Sequence, residues 1–507
     1  MPLMHKTAAS VAALSIFMSG TAAFAEVSAQ AVWDDWKGYM TGFGYTIDGS
    51  EAASGGTLTV SDVTMSMQIP EEDASVSMTL PQLSFVENGD GTVSIELPPV
   101  MPMNIRVDTP GDDDADIALE YVTDAFSMVV SGETNDLLYT YSANAVSLAL
   151  KTLVVEGQTI DVGAAEMSVA NLAGTTSMKV GNLRVSEQSM TTGPVSLVVD
   201  FKDPSGSGYL KMNSKYDTMS FDGGGSFPMN MNPDDMAAML KAGFGFNGGF
   251  SYTGGATDFE FEDRGERVEA TTSSDSGALQ MAMDESQLAY AGTASNMKMM
   301  MAGGEIPFPV ELAMQDTAFS MKMPLSKSDS AQEFALGLTL GDFTMSDMIW
   351  GIFDPAGQLP RDPATVALDL TGMGKLNFDV MDPAQMEAVE RGQMMPGELN
   401  ALTLKGLTVR LVGAELTGNG DFTFDNSNLE TFDGMPAPDG AVNLKLTGGN
   451  ALIDKLVAMG LLPEEQAMGA RMMMGLFAVP GEGEDSLTSK IEVKPDGKIL
   501  ANGQRIQ

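Results

Sequence analysis

The chain has 507 residues, no cysteine and one histidine, and 69 acidic against 27 basic residues give it a formal net charge of −42. This composition excludes disulfides, cysteine nucleophiles and zinc sites built from cysteine and histidine. The negative charge argues against nucleic acid or an anionic membrane surface as a partner, because both bind clustered lysine and arginine.

Residues 1–25 have the pattern of a cleavable signal peptide. His5 and Lys6 form a short basic region, an apolar run covers 8–18, and Ala23-Phe24-Ala25 fits a small-x-small cleavage site. We therefore expect cleavage after Ala25 and a periplasmic protein without histidine, which removes Ser-His-Asp triads and histidine general bases. No later segment has the roughly 18 uninterrupted apolar residues of a membrane helix, so we do not expect an integral membrane protein.

The next segment, 28–43, predicts an amphipathic helix. Val32, Trp33, Trp36 and Tyr39 recur at helical spacing, and we expect this helix to cap the open end of a sheet. A helix that binds a partner protein is the alternative. An aromatic stripe is more often part of a core.

An eight-residue pattern recurs in the strands that follow, with apolar residues at positions 1, 3, 6 and 8. It occurs at 58–65, 78–85, 178–185, 338–345 and 402–409. Side chains alternate between the two faces of a strand, so one extra residue in the middle returns all four apolar side chains to one face. The pattern predicts strands that each carry a β-bulge. The copies are irregularly spaced, which argues against a solenoid of fixed period.

A helix start at Asn232 and Pro233, flanked by Gly-rich stretches, predicts a boundary in the middle of the chain. We therefore divide the chain into a β-rich half over 26–230 with a leading amphipathic helix, a helix and Gly-rich connector over 231–256, and a second β-rich half over 257–507.

The second half also contains short helical segments at 346–353 and 383–391 and a helical pair over 450–477. Within the pair we place five apolar side chains on the inner face: Met468, Met472, Met473, Leu476 and Phe477. The fold class expected is mainly β, a β-rich α+β protein. It would be built of large curved antiparallel sheets with bulges and a few capping helices.

Three features were candidates for chemistry. The acidic loop at 111–116 lacks the glycine and glutamate positions of an EF-hand, so we interpret it as a solvated loop. The methionine clusters at 297–301 and 472–474 hold thioethers that suit Cu(I), but their spacing favours core packing. Carboxylates are numerous, yet no local arrangement marks an acid pair. We therefore predict no catalytic, cofactor-binding or metal-binding residues, no cofactor, and a protein that is not an enzyme.

Three segments taken together point to a family. They are Val32-Trp33-Asp34-Asp35-Trp36, the stretch 350–363 that contains Trp350 and Asp354-Pro355, and the C-terminal stretch 450–504. In combination they resemble the exported alphaproteobacterial proteins catalogued as domain of unknown function 2125. The resemblance implies a Gram-negative envelope protein and supplies no catalytic or binding residues.

The function we expect is a non-catalytic binding or scaffolding protein of the cell envelope that holds an apolar ligand such as a lipid on a curved sheet. The first alternative is a structural or protein-interaction role, with an exposed apolar patch around Trp33 and Trp36. The second is a carboxylate-based hydrolase, with two acids facing each other in a cleft. The partners expected are a lipid or an envelope protein.

Overall fold

The computed structural model describes residues 27–69, 74–110, 114–203, 206, 208–232, 235–304 and 306–507, without the side chain of residue 307. The predicted signal peptide, 1–25, lies outside the described residues. Strands make up 64% and helices 13% of the structure, in one large antiparallel sheet with 6 helices in the described part. The prediction of a mainly β fold with a few helices is confirmed.

The helices of the described residues lie where the sequence places them. They are α1 Ala29–Gly42, α2 Met236–Lys241, α3 Asp347–Phe353, α4 Pro383–Glu390, α5 Gly449–Ala458 and α6 Glu464–Phe477. The Ser28 hydroxyl caps α1 by accepting a hydrogen bond from Ala31 N, and the Asp382 carboxylate caps α4 in the same way. None of these described helices combines the length and the apolar character needed to cross a bilayer.

The strands of the first half vary widely in length, from 3 to 20 residues. They are β1 Thr46–Ser54, β2 Thr57–Ile69, β3 Ala74–Glu87, β4 Val93–Glu96, β5 Val100–Asp108, β6 Ala115–Asp124, β7 Ser127–Glu133, β8 Asp136–Val155, β9 Gln158–Ile160, β10 Val162–Val180, β11 Leu183–Thr192, β12 Val195–Lys202, β13 Tyr209–Tyr216 and β14 Thr218–Pro228.

The strands of the second half are more uniform until the C-terminus. They are β15 Gly245–Asp263, β16 Glu266–Met283, β17 Gln287–Gly303, β18 Ile306–Pro324, β19 Gln332–Met345, β20 Ala364–Leu376, β21 Gly397–Leu411, β22 Ala414–Asp425, β23 Ala437–Thr447, β24 Val479–Pro480, β25 Ser486–Val493, β26 Ile499–Ala501 and β27 Gln504–Arg505.

The sheet is an antiparallel meander in which most strands pair with the next strand in the chain. From β15 to β23 every strand pairs with its successor, and β23 then pairs with β25. Earlier in the chain two shorter strands share one long neighbour: β11 and β12 both pair with β10, and β13 and β14 both pair with β15. The described strands therefore form one continuous surface.

Bulges interrupt the long strands, as four of the five copies of the sequence pattern predict. In the pairing of β1 with β2, Asp48 pairs with Thr64 and Ser50 with Ser61, so β2 carries one extra residue here. Asp62 is that inserted residue, and its φ is +53°. Pro81 is the inserted residue opposite it in β3. The copies at 338–345 and 402–409 also carry a register shift in their middle.

The copy at 178–185 is the exception, and its prediction is wrong. Gly181 and Asn182 belong to the turn of the β10–β11 hairpin, in which Val180 pairs with Arg184. A glycine next to an asparagine suits a tight turn as well as a bulge, so the pattern alone does not separate the two. As a consequence Arg184 lies on the same face of the sheet as the apolar residues of β10, with Val185 on the other.

The Gly-rich segments flanking α2 differ from the predicted connector. Gly223–Gly225 lie within β14 and most of 243–255 lies within β15, and these two strands pair directly, with Gly223 opposite Gly248. Glycine has no side chain to hold neighbouring strands apart and does not by itself end a strand. The sheet thus continues through the region predicted as a connector.

The inner face predicted for α6 is also wrong. Met468 and Met472 are 67% and 71% exposed, and Met473 and Leu476 are exposed as well. Ala467 is buried, while Phe477 from the predicted set is half-buried. A helix approaches its neighbours most closely along its small residues, so the bulky methionine and leucine side chains of α6 face outward.

Candidate functional site

Cross-strand pairing collects the apolar side chains of successive strands on one face of the sheet, which we call the apolar face. Directly paired residues in an antiparallel sheet point to the same side. Tyr290 of β17 pairs with Met321 of β18, Met321 with Leu336 of β19, and Leu336 with Leu370 of β20. The same row continues to Leu404 of β21.

The bulges divide the apolar face into two arms. The α1 arm contains the row through Tyr290. The α3 arm lies beyond the inserted residue of each long strand and contains the row Met299, Leu312 and Met345. In β17 the inserted residue is Asn296, with φ +49°. Before Asn296 the apolar residues of β17 are even-numbered, and after it they are odd-numbered. Because the inserted residue shifts the alternation by one, the apolar side chains of both arms point to the same side of the sheet.

In β2 the burial of side chains shows directly that both arms share one face. Leu58 and Val60 precede the inserted Asp62, and Val63 follows it. All three are buried in the same hydrophobic cluster. The bulge therefore keeps the apolar face continuous while it bends the strand.

The opposite face is polar and holds charged pairs between strands. Lys322 Nζ lies 2.7 Å from Glu333 Oε2 across β18 and β19, and Arg410 Nη2 lies 2.7 Å from Asp342 Oδ1. Exposed pairs of this kind contribute little to stability. They show instead which face of the sheet is exposed to solvent.

Large side chains of the apolar face remain open to solvent beyond α1. Phe319 and Leu338, which are paired across β18 and β19, are 47% and 40% exposed. Their neighbours Met321 and Leu336 are exposed as well. Contiguous exposed apolar surface of this kind is typical of a site for a ligand, a protein or a membrane.

Glycines let aromatic rings lie flat on the apolar face. A Cβ atom at Gly292 would come within 2.2 Å of Phe319 Cε1, and one at Gly372 within 2.1 Å of Phe334 Cζ. Each ring therefore covers a glycine of the neighbouring strand, an arrangement that satisfies both the ring and the exposed backbone. At these two positions the aromatic rings lie low on the apolar face instead of projecting from it.

Helix α1 covers one end of the apolar face. Trp33 is buried, and Trp36 packs edge-on against Phe85 of β3 with 5.6 Å between ring centroids. Below them Val60 and Val130 are fully buried. The prediction of a capping helix is confirmed. The exposed patch that the interaction hypothesis places around the two tryptophans is not found.

A buried ion pair fastens α1 to the sheet. Asp35 of α1 forms an ion pair with Arg184 of β11, and both side chains are less than 8% exposed. The Tyr139 hydroxyl donates a hydrogen bond of 3.1 Å to the other Asp35 oxygen, and the Arg184 guanidinium lies 5.6 Å from the Tyr39 ring centroid. Sequence reasoning missed this group, because a turn rather than a bulge at Gly181 determines which way Arg184 points.

This group predicts that stability falls in alkali. Burial, reinforced by the Asp35 carboxylate, raises the pKa of Tyr139 well above its ordinary value of 10.0. Above about pH 10 the unfolded chain therefore releases a proton that the folded chain retains, so the free energy of unfolding decreases as the pH rises. Urea unfolding followed by circular dichroism at about pH 9 and about pH 11 measures this decrease, and the Tyr139→Phe variant should show a smaller one. An equal decrease in both proteins would contradict the assignment.

A pocket of about 320 Å³ opens on the apolar face beside the C-terminal part of α1. Its apolar lining includes Tyr39, Phe221, Phe227, Phe246 and Phe250, and the side of β11 contributes Gln188. Ser186 and Asn247 also line the pocket. Mostly apolar walls with a few polar groups are typical of sites for small organic ligands.

The other predicted candidates do not assemble into a site. Residues 111–113 of the acidic loop lie outside the described residues, while Asp114 and Asp116 form ion pairs with Arg106. Met297, Met299 and Met301 lie on the apolar face and Met300 on the other. No group of three or more His, Cys, Asp or Glu within the described ranges could hold a metal ion.

Among the described carboxyl groups with a displaced pKa, the displacement is downward, as at Asp354. Burial alone would raise the pKa of Asp354, but hydrogen bonds donated by Gln358 N and Leu359 N lower it below its ordinary range. A general acid requires the opposite displacement. The hydrolase hypothesis therefore gains no support from these groups.

Comparison with protein families gives a match. A family model described as an uncharacterized protein conserved in bacteria (DUF2125) matches residues 235–502, more than half of the chain. The match begins at the N-cap residue of α2 and extends through β26, so it contains the most exposed part of the apolar face. No curated protein and no solved structure matches the chain.

Proposed function

The chain belongs to this DUF2125 family, as the resemblance of its motifs indicates, and we propose that it is a non-catalytic binding protein that holds the acyl chains of lipids on its apolar face. The place of action we propose is the periplasm, reached after cleavage of residues 1–25. Its role there would be to bind or carry lipid in the cell envelope.

The observation that carries this proposal is the uncovered apolar face. An antiparallel sheet normally buries its apolar face against another layer and keeps only the polar face in water. Here α1 covers one end of the face, while Phe319, Leu338 and their neighbours are exposed in the middle of the sheet. Such an arrangement is expected of a surface whose covering layer is a ligand.

The chemistry of the face favours acyl chains over polar ligands. Its side chains are mainly methionine, leucine, valine and phenylalanine, and flexible methionines adapt to apolar partners of variable shape. Sugars or nucleotides would need convergent hydrogen-bonding groups, whereas the residues of the row through Tyr290 offer a single hydroxyl. The face can therefore bury hydrocarbon without choosing among headgroups.

A second candidate function, contact with another envelope protein, is favoured by α6. Met468, Met472, Met473 and Leu476 form an exposed apolar stripe on a helix whose opposite side is packed. Stripes of this kind are used by helices that dock into grooves. These side chains are not part of the row through Tyr290, so the two functions can be tested by separate mutations.

Native mass spectrometry of the protein, purified without detergent from a Gram-negative periplasm, tests the lipid proposal. We expect added masses of phospholipid or fatty acid that disappear on denaturation. The Leu338→Glu variant should carry less lipid, because it places a charge on an exposed position of the apolar face. Thr339→Glu is the matched control, since Thr339 pairs with Ala318 and Ala367 on the polar face.

A protein mass without any adduct, in preparations where the signal peptide is removed, would contradict the lipid proposal and favour the role of α6. Equal loss of lipid in Leu338→Glu and Thr339→Glu would also count against it, because the effect would then reflect folding rather than the apolar face.

A further inference from the structure

We infer that the apolar face holds several lipid molecules in a row, rather than one molecule in a closed pocket. This inference rests on the proposed function and specifies how much ligand the site takes. Four properties of the face support it: its length, the lack of charged side chains in its middle, the aromatic rings that lie flat on it, and the helices that cover the end of the α1 arm.

The open part of the apolar face is much longer than one acyl chain. Ten strands follow one another from β15 to β25 along the sheet order, with β24 outside this series. With strands about 4.8 Å apart, they extend over about 43 Å. The hydrocarbon layer of one bilayer leaflet, half of about 30 Å, measures about 15 Å. Nearly three such lengths therefore fit along the face.

No charged side chain interrupts the middle of the face among the described residues. Cross-strand pairing places the following residues on it in three neighbouring strands: Leu288, Tyr290, Gly292, Met297, Met299 and Met301 in β17; Val310, Leu312, Met314, Phe319, Met321 and Met323 in β18; Phe334, Leu336, Leu338, Leu340 and Met345 in β19. A charge on such a surface would have to be desolvated by a passing hydrocarbon chain, at a cost of several kcal/mol. The described surface presents no such barrier.

Two large aromatic rings lie flat on the face instead of forming ridges across it. Phe319 lies across Gly292, and Phe334 across Gly372, so these rings are level with the strands. The pocket beside Tyr39, at about 320 Å³, is at the small end of the range for ligand pockets, and it adjoins the face rather than enclosing it. A smooth surface favours chains lying side by side or end to end.

Helices cover the end of the α1 arm. The apolar side chains of the first strands lie under α1, which the buried Asp35–Arg184 ion pair holds in place, and Leu240 of α2 packs with Met283 and Leu288. Lipids would therefore enter and leave from the part of the sheet formed by β15 to β25. Along this part, Phe261 of β15 and Leu338 of β19 are both exposed on the apolar face and lie four strands apart.

The test counts lipid molecules per chain in native mass spectra of wild type, Phe261→Glu, Leu338→Glu and the double variant. The ratio of lipid phosphorus to protein serves as an independent measure. We expect at least two lipids in wild type, fewer but not zero in each single variant, and a further decrease in the double variant. Thr339→Glu should equal wild type. Circular dichroism verifies that each variant is folded.

A wild-type protein that never carries more than one lipid would overturn the inference and leave the proposed function standing. So would the complete loss of lipid in one single variant with no effect in the other, since both results describe a single confined site. The absence of lipid from every preparation would overturn both the inference and the proposed function.

Discussion

Replacing Arg184 by alanine is expected to lower the free energy of unfolding by about 3–5 kcal/mol, because it leaves the buried Asp35 carboxylate without its cation. The Tyr139 hydroxyl would still donate to Asp35, but one neutral donor does not compensate for a lost charge in a buried site. Urea unfolding monitored by circular dichroism at neutral pH measures the change.

An exposed ion pair of the same kind is the control. Arg471 of α6 pairs with Asp454 of α5, and both side chains are exposed. Arg471→Ala should therefore cost at most about 1 kcal/mol. The double variant Asp35→Leu with Arg184→Met removes both buried charges and should recover most of the loss. If Arg184→Ala were no more costly than Arg471→Ala, the ion pair would not be what fastens α1.

The position of α1 was predictable from local sequence, and its means of attachment was not. The spacing of Val32, Trp33 and Trp36 specifies an apolar stripe, which a helix must bury somewhere. Asp35 is adjacent to that stripe, yet its partner Arg184 is 149 residues away. No local pattern in the sequence predicts that these two residues are in contact. Their pairing follows from the register of the whole sheet.

The outward face of α6 shows a second limit of local patterns. Periodicity places Met468, Met472 and Leu476 on one side of a helix, but it does not say whether that side faces the protein or the solvent. For α1 the larger side chains face inward, and for α6 they face outward. The difference depends on which surfaces of the folded chain each helix packs against.

The recurrent bulge, in contrast, could be predicted from the order of residues in single strands for four of the five copies of the pattern, and only the copy at 178–185 is a turn instead. The single strands do not reveal that these bulges align across the sheet and keep its apolar side chains on one face. Only the paired strands show that an inserted residue in β2, β17 and β19 occurs at a switch between the arms, and that the apolar rows on both sides of it face the same way. The proposed lipid site thus depends on the same small bulge being present in many paired strands.

Deleting Asp62 should therefore be among the most damaging single changes in the chain. Without the inserted residue, side chains on one side of the bulge turn to the opposite face. Either Leu58 and Val60 or Val63 and Met65 would leave the apolar face, and the first three of these are buried. Exposing two such side chains costs about 3–6 kcal/mol. Urea unfolding measures the loss.

The matched control keeps the chain length and changes only the residue type. Asp62 has φ +53°, a conformation that costs an L-amino acid about 1–2 kcal/mol and glycine almost nothing. Asp62→Gly should therefore be as stable as the wild type or slightly more stable. The contrast between the two variants tests the role of the bulge, because a merely flexible surface position would tolerate both changes. A deletion variant with wild-type stability would mean that strand β2 does not need the insertion to keep its apolar side chains on one face. The explanation of the continuous apolar face would then fail at the strand where burial supports it best.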